Sequence, residues 1–238
     1  MSMLVDFLCR FAWGMALGLV LTPAGLVPGG FFRVNLLVVM GLTTFAALLA
    51  GGALPGGAWV PPAVAAVAAW IGTVAWLLGR AGPGLLACAA AALAAGMAVW
   101  NGSGGDAAAA ARHLLSGAVV GLSVHAMLLG HWYLNAPGMS VSALRRMIDL
   151  ALAAWGLMLL ACALSVVRQG GILPAASQTS AALLWLRWLA GLVGLPVLLW
   201  MSRETLRIPN TQSATGILYV ACLASIVGEL SDLLLAAG

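Results

Sequence analysis

Eight apolar runs, each close to the length of a membrane-crossing helix, follow one another along the 238-residue chain with short polar breaks between them. A helix rises about 1.5 Å per residue and needs about 20 apolar residues to cross a hydrocarbon core ~30 Å thick. In lipid every backbone polar group must be satisfied within its own segment, which makes such runs helices. A transmembrane barrel would instead alternate in segments of about 10 residues, a pattern this sequence does not carry. The chain is therefore expected to be an all-α integral membrane protein: a polytopic bundle of about eight transmembrane helices with no sizeable soluble domain.

Composition agrees. Charged residues make up 7% and hydrophobic residues 63% of the chain, with mean hydropathy +1.10. A soluble domain carries about a quarter charged residues, so too few charges are present to cover a water-facing surface.

The breaks place the helices at about 3–22, 31–53, 59–78, 85–100, 107–134, 141–167, 181–201 and 211–236, in one domain spanning 1–238. Pro23 and the turn Val27-Pro28-Gly29-Gly30 separate the first two. Pro61 and Pro62 fall in the first turn of the third, where missing N–H groups do least harm. Asp106 is a suitable N-cap for the fifth, and Asn135-Ala136-Pro137-Gly138 stops it. Gly170, Gly171 and Pro174 mark a polar loop, and Pro209-Asn210 opens the last helix. The first run has no basic leader and no A-x-A cleavage pattern, so it is read as a helix and not a cleaved signal.

Arginine placement sets the expected topology. The loops after helices one, three, five and seven hold or border Arg33, Arg80, Arg145, Arg146, Arg203 and Arg207, whereas the opposite side has Arg112 and Arg168. The positive-inside bias then puts both termini on the non-cytoplasmic side, in what is expected to be a bacterial cytoplasmic membrane. Gly14 to Gly18 and Gly117 to Gly121 both form GxxxG, which lets helices approach closely in lipid. They suggest a four-plus-four repeat, 1–101 and 107–238, although their flanking residues do not align.

Several functions are disfavoured. The formal net charge of +4 includes no basic cluster larger than Arg145-Arg146, so nucleic acid is not an expected partner. Cys9, Cys88, Cys162 and Cys222 lie in four different apolar runs with no CxxC pair, as buried thiols do and metal sites do not. There is no P-loop. All three histidines, His113, His125 and His131, sit on the fifth helix. A bis-His haem usually takes its ligands from two facing helices, so haem within one chain is disfavoured, and no metal is expected.

Ionisable residues inside a membrane are the functional candidates. Toward the terminal side, Arg187 and Glu229 lie at matching depth on consecutive helices and are expected to form a buried ion pair, because an unpaired buried charge is costly. Asp6 and Arg10 share a helix face at i, i+4, and His113 and Asp232 lie at similar depth, making an outer polar group. Toward the arginine-rich side, His125, His131, Tyr133, Asp149 and Gln212 are expected to line a ligand-binding or proton-relay pocket. Trp132 and Tyr133 also fit an interfacial aromatic belt.

The leading expectation is a membrane subunit of a redox or energy-coupling complex, anchoring partners and binding a quinone-like ligand or relaying protons. A small-solute or ion transporter is the alternative. Pro196 with Gly191 and Gly194 offers a candidate helix break of the kind transporters use. A structural or assembly protein without its own ligand is the third class. Catalysis by the chain alone is not expected. The expected partners are the bilayer and either other membrane subunits or further copies of the chain.

Overall fold

A computed structural model describes residues 3–53, 56–136, 138–168, 178–208 and 210–237. Pro137, Gly170, Gly171, Pro174 and Pro209, used above to mark breaks, lie outside the described residues. Every regular element described is helical: α1 (Met3–Leu21), α2 (Gly29–Ala53), α3 (Val60–Leu77), α4 (Ala81–Gly102), α5 (Ala107–Asn135), α6 (Ser142–Arg168), α7 (Gln178–Leu186), a π-helical segment (Arg187–Gly194), α8 (Leu195–Thr205) and α9 (Thr211–Ala237). Among the described residues, eight helical spans are long and apolar enough to cross a membrane, with α7, the π segment and α8 joined in the seventh. The protein is an all-α polytopic membrane protein.

The boundaries follow local chemistry. Asp106 caps α5, accepting from the Ala108 amide at 2.9 Å. Helix α4 starts at Ala81, before the sequence estimate, because Pro83 in a first turn interrupts no hydrogen bond. The seventh span carries the largest departure from regular geometry. Pro196 has no N–H, and the Leu195 amide bonds to the Ala190 carbonyl five residues back. The turn is therefore wide through the suspected break and the helix does not stop.

Helix α1 packs beside α2, α4 and α5, and α5 packs beside α1, α6 and α9. In the first half α3 closes against α2 and α4; in the second, the seventh span closes against α6 and α9. Helix α4 also touches α5, and α9 touches α1, so the two halves share one neighbour pattern around the α1–α5 pair.

That central pair is parallel and held by glycine. A Cβ on Gly14 would lie 2.8 Å from Gly121 Cα, and one on Gly117 would lie 2.5 Å from the Arg10 carbonyl oxygen. The two GxxxG motifs thus pack against each other. Helix α5 is the most enclosed span, while α6 and the seventh span mostly face outward, presenting Leu157, Leu160, Leu164, Trp185 and Leu189. Such faces suit contact with lipid tails.

Candidate functional site

Charges buried near the face that carries both termini form the candidate site. Asp6 and Arg10 lie one turn apart on α1, and Arg10 is only 3% exposed. Its Nη2 meets Asp6 Oδ2 at 2.5 Å, and its Nη1 donates to Glu229 Oε1 on α9 at 2.8 Å. Ser116 on α5 donates to the same Glu229 oxygen at 3.1 Å. Helices α1, α5 and α9 therefore meet at one carboxylate. The close α1–α5 approach positions them: the Gly117 contact with the Arg10 backbone brings the turns bearing Arg10 and Ser116 together.

The expected Arg187–Glu229 pair does not form. Arg187 is salt-bridged to Asp232, and Glu229 is taken by Arg10. The reason lies in the register of the seventh span on α9. A Cβ on Gly228 would lie 2.7 Å from Gly191 Cα, so these two glycines sit opposite each other. One turn away in each direction, Arg187 then faces Asp232. Depth counted along the sequence does not distinguish Arg187 from Arg10 as the partner of Glu229; Arg10 takes it. Arg187 Nη2 also reaches Cys162 Sγ at 3.6 Å.

His113 stands beside this group. Its Nδ1 shares a hydrogen bond with Ser103 Oγ at 3.1 Å, and Asp6, Arg10, Arg112 and Asp232 all lie within electrostatic reach of its ring. Asp232 similarly lies within reach of Glu229. Asp6, Arg10 and Glu229 thus form one bonded group, Arg187 and Asp232 a second, and His113 bonds Ser103.

The candidates on the arginine-rich side share no such group. His125 is fully buried, and its Nε2 shares a 2.7 Å hydrogen bond with Thr22 Oγ1 at the end of α1. A Cβ on Gly18 would lie 2.7 Å from His125 Cγ, so that glycine makes room for the ring, which Phe31 meets edge-on at 5.2 Å. Asp149 was expected beside His125. It instead pairs with Arg203 at 2.5 Å on the exposed side of α6. Ala143, Leu144, Met147, Ile148 and Ala151 form the buried face of α6, and Asp149 falls outside that stripe. Tyr133 bonds the Ser140 carbonyl, closing the turn between α5 and α6. His131 Nδ1 shares a 3.2 Å hydrogen bond with Tyr219 on α9, and Gln212 is exposed. The single pocket expected of His125, His131, Tyr133, Asp149 and Gln212 is therefore replaced by four separate contacts and one exposed amide.

Thr22, Ser116 and Arg203 are the partners that sequence reasoning passed over in placing these groups. Ser116 had one usable signal, its place beside Gly117 at the GxxxG face. Among the described residues no three His, Cys, Asp or Glu side chains are grouped to hold a metal ion. Compared with known protein families, with curated proteins and with solved structures, the chain matches none.

Proposed function

We propose that this chain is a proton-handling membrane component of an energy-coupling system, working through the Asp6–Arg10–Glu229 group on the non-cytoplasmic side. The observation that carries the reading is Arg10, enclosed at 3% exposure between two carboxylates. The bonded group has two carboxylates against one guanidinium. An uncompensated charge in so dry a site is costly, and a proton bound among the carboxylates cancels it. Ionisable residues inside a membrane mark substrate or ion pathways and proton relays. Partner subunits or further copies of the chain would pack on the outward faces of α6 and the seventh span. A quinone-like ligand remains a proposal for the arginine-rich side, where His131 and Tyr219 present hydrogen-bonding groups at an exposed surface.

The π segment favours a second reading, a proton-coupled solute transporter. Such segments concentrate at functional sites, and this one begins at Arg187, whose partner Asp232 adjoins Glu229.

The first reading is tested in sealed liposomes holding a pH-sensitive dye, with an imposed potassium diffusion potential. Wild-type protein is expected to admit protons, and Glu229→Gln to abolish entry while remaining monodisperse and helical. Wild-type entry no faster than in protein-free liposomes would overturn it.

A further inference from the structure

Ser116 is over-subscribed as a hydrogen-bond donor. Its Oγ lies 3.1 Å from the His113 carbonyl oxygen, three residues back on α5, and 3.1 Å from Glu229 Oε1 on α9. Both oxygens are acceptors, and a serine hydroxyl carries one hydrogen. Ser116 therefore serves one of them at a time. Its side chain is buried, so the choice is made within the protein.

The two acceptors differ in kind. The His113 carbonyl is neutral in every state of the site. Glu229 Oε1 is not. As part of a carboxylate it receives a charge-assisted bond, roughly twice as strong as one between neutral groups. Once the carboxyl is protonated that advantage is gone. Ser116 is thus drawn to Glu229 while Glu229 is charged, and is free to turn to the His113 carbonyl when Glu229 is neutral. The hydrogen needs only to rotate about the Cβ–Oγ bond, because both acceptors are already within bonding distance.

The other groups facing Glu229 are committed. Arg10 Nη1 donates to the same oxygen at 2.8 Å, remains a guanidinium throughout, and is also bound to Asp6. Asp232, one turn along α9, and Arg187, from the π segment, are bonded to each other. On α5, His113 shares a hydrogen bond with Ser103, and Arg112 lies within electrostatic reach of the His113 ring. Of the two donors bonded to Glu229, the Ser116 hydroxyl is the one with a neutral acceptor beside it.

We propose that Ser116 sets the pH at which Glu229 exchanges its proton, by holding the carboxylate and letting go when the proton arrives. This rests on the proton-handling reading and names the residue that tunes it. In uptake, an O–H bond of a hydronium ion from the non-cytoplasmic side breaks, an O–H bond forms on the Glu229 carboxylate, and a water molecule is left. The Ser116 hydrogen stays on its own oxygen and swings to His113. Release reverses both movements. Removing the hydroxyl takes a donor from the charged state and little from the neutral one, so the proton is then held to higher pH.

Infrared spectra of the full chain in a maltoside detergent, recorded against pH, follow the carboxylic C=O band that Glu229→Gln removes. Ser116→Ala is expected to move the midpoint of that band to higher pH by about one unit, a tenfold change in proton affinity. The outer pH for half-maximal proton entry into liposomes is expected to move the same way, with a melting temperature near that of wild type. Ser116→Thr keeps a hydroxyl and is expected to titrate with wild type. Should Ser116→Ala misfold, Ser116→Gly is read in the same way. An unmoved midpoint in the folded variant, an equal move in Ser116→Thr, or the lack of any band that Glu229→Gln removes would overturn the role of Ser116. Wild-type protein that admits no protons would remove the proton-handling reading, and the infrared midpoint would still decide whether Ser116 tunes Glu229.

Discussion

Arg10 on the first span and Glu229 on the last, 219 residues apart in sequence, are joined by a buried hydrogen bond of 2.8 Å. Asp6 supplies the second anionic partner of the same guanidinium. Replacing Arg10 by Leu strands two carboxylates in an apolar interior. Breaking a buried pair from one side costs about 3–5 kcal/mol, so Arg10→Leu is expected to lower unfolding free energy by that order in a denaturant titration. The triple variant Asp6→Leu/Arg10→Leu/Glu229→Leu is expected to be milder, because it leaves no charge behind.

The Arg187–Asp232 pair behaves differently. Its side chains are 28% and 33% exposed, and ion pairs with that access to solvent contribute about 0–1 kcal/mol. A double-mutant cycle with Arg187→Leu and Asp232→Asn is expected to return a coupling in that range, well below that of Arg10 with Glu229.

Glycines at the central crossing differ sharply from glycines facing open space. Leucine at Gly14 or Gly121 drives a side chain into the facing backbone, and overpacking of this kind costs about 1–3 kcal/mol or more. Leucine at Gly41 or Gly216, where nothing lies within 4 Å of an added Cβ, is expected to be neutral. Melting temperatures of the four variants in one detergent check both halves of this statement.

Thr22→Val removes the hydroxyl that partners His125 Nε2, while His125 Nδ1 already has no partner. Leaving a buried polar group unsatisfied costs about 1–3 kcal/mol. Thr22→Ser keeps the hydroxyl and is expected to stay near wild type in the same unfolding measurement.

Reporter fusions test the topology. Fusions after Arg80 and Arg203 are expected to read cytoplasmic, and fusions at Gly104 and Gly238 external. A cytoplasmic C-terminus would reverse the assignment of sides on which the outer position of Glu229 depends.

The number of spans was legible because the length of each apolar run reports a crossing of the membrane. Direction around each helix was not. Asp149 has the depth that suggested a partner for His125, yet lies off the buried stripe of α6 and pairs with Arg203. Arg187 was matched to Glu229 by depth, while the glycine contact at 191 and 228 sets it opposite Asp232. Gly14, Gly18, Gly117 and Gly121 were visible as two motifs, but that they meet each other depends on which helices become neighbours. No local signal in either helix records that choice.

The link between the first and last spans also bears on how the chain is made. At about 5–20 residues per second, Glu229 leaves the ribosome roughly 10–40 seconds after Arg10. During that interval the first span sits in the membrane without its eventual partner. Asp6, one turn away on the same helix, is available from the start and shields the arginine's charge while the remaining spans are inserted. A nascent chain lacking Asp6 would expose a lone arginine to lipid for that whole interval. Asp6→Asn is therefore expected to act on biogenesis, lowering the yield of membrane-inserted protein on a blot more than the melting temperature of the purified protein.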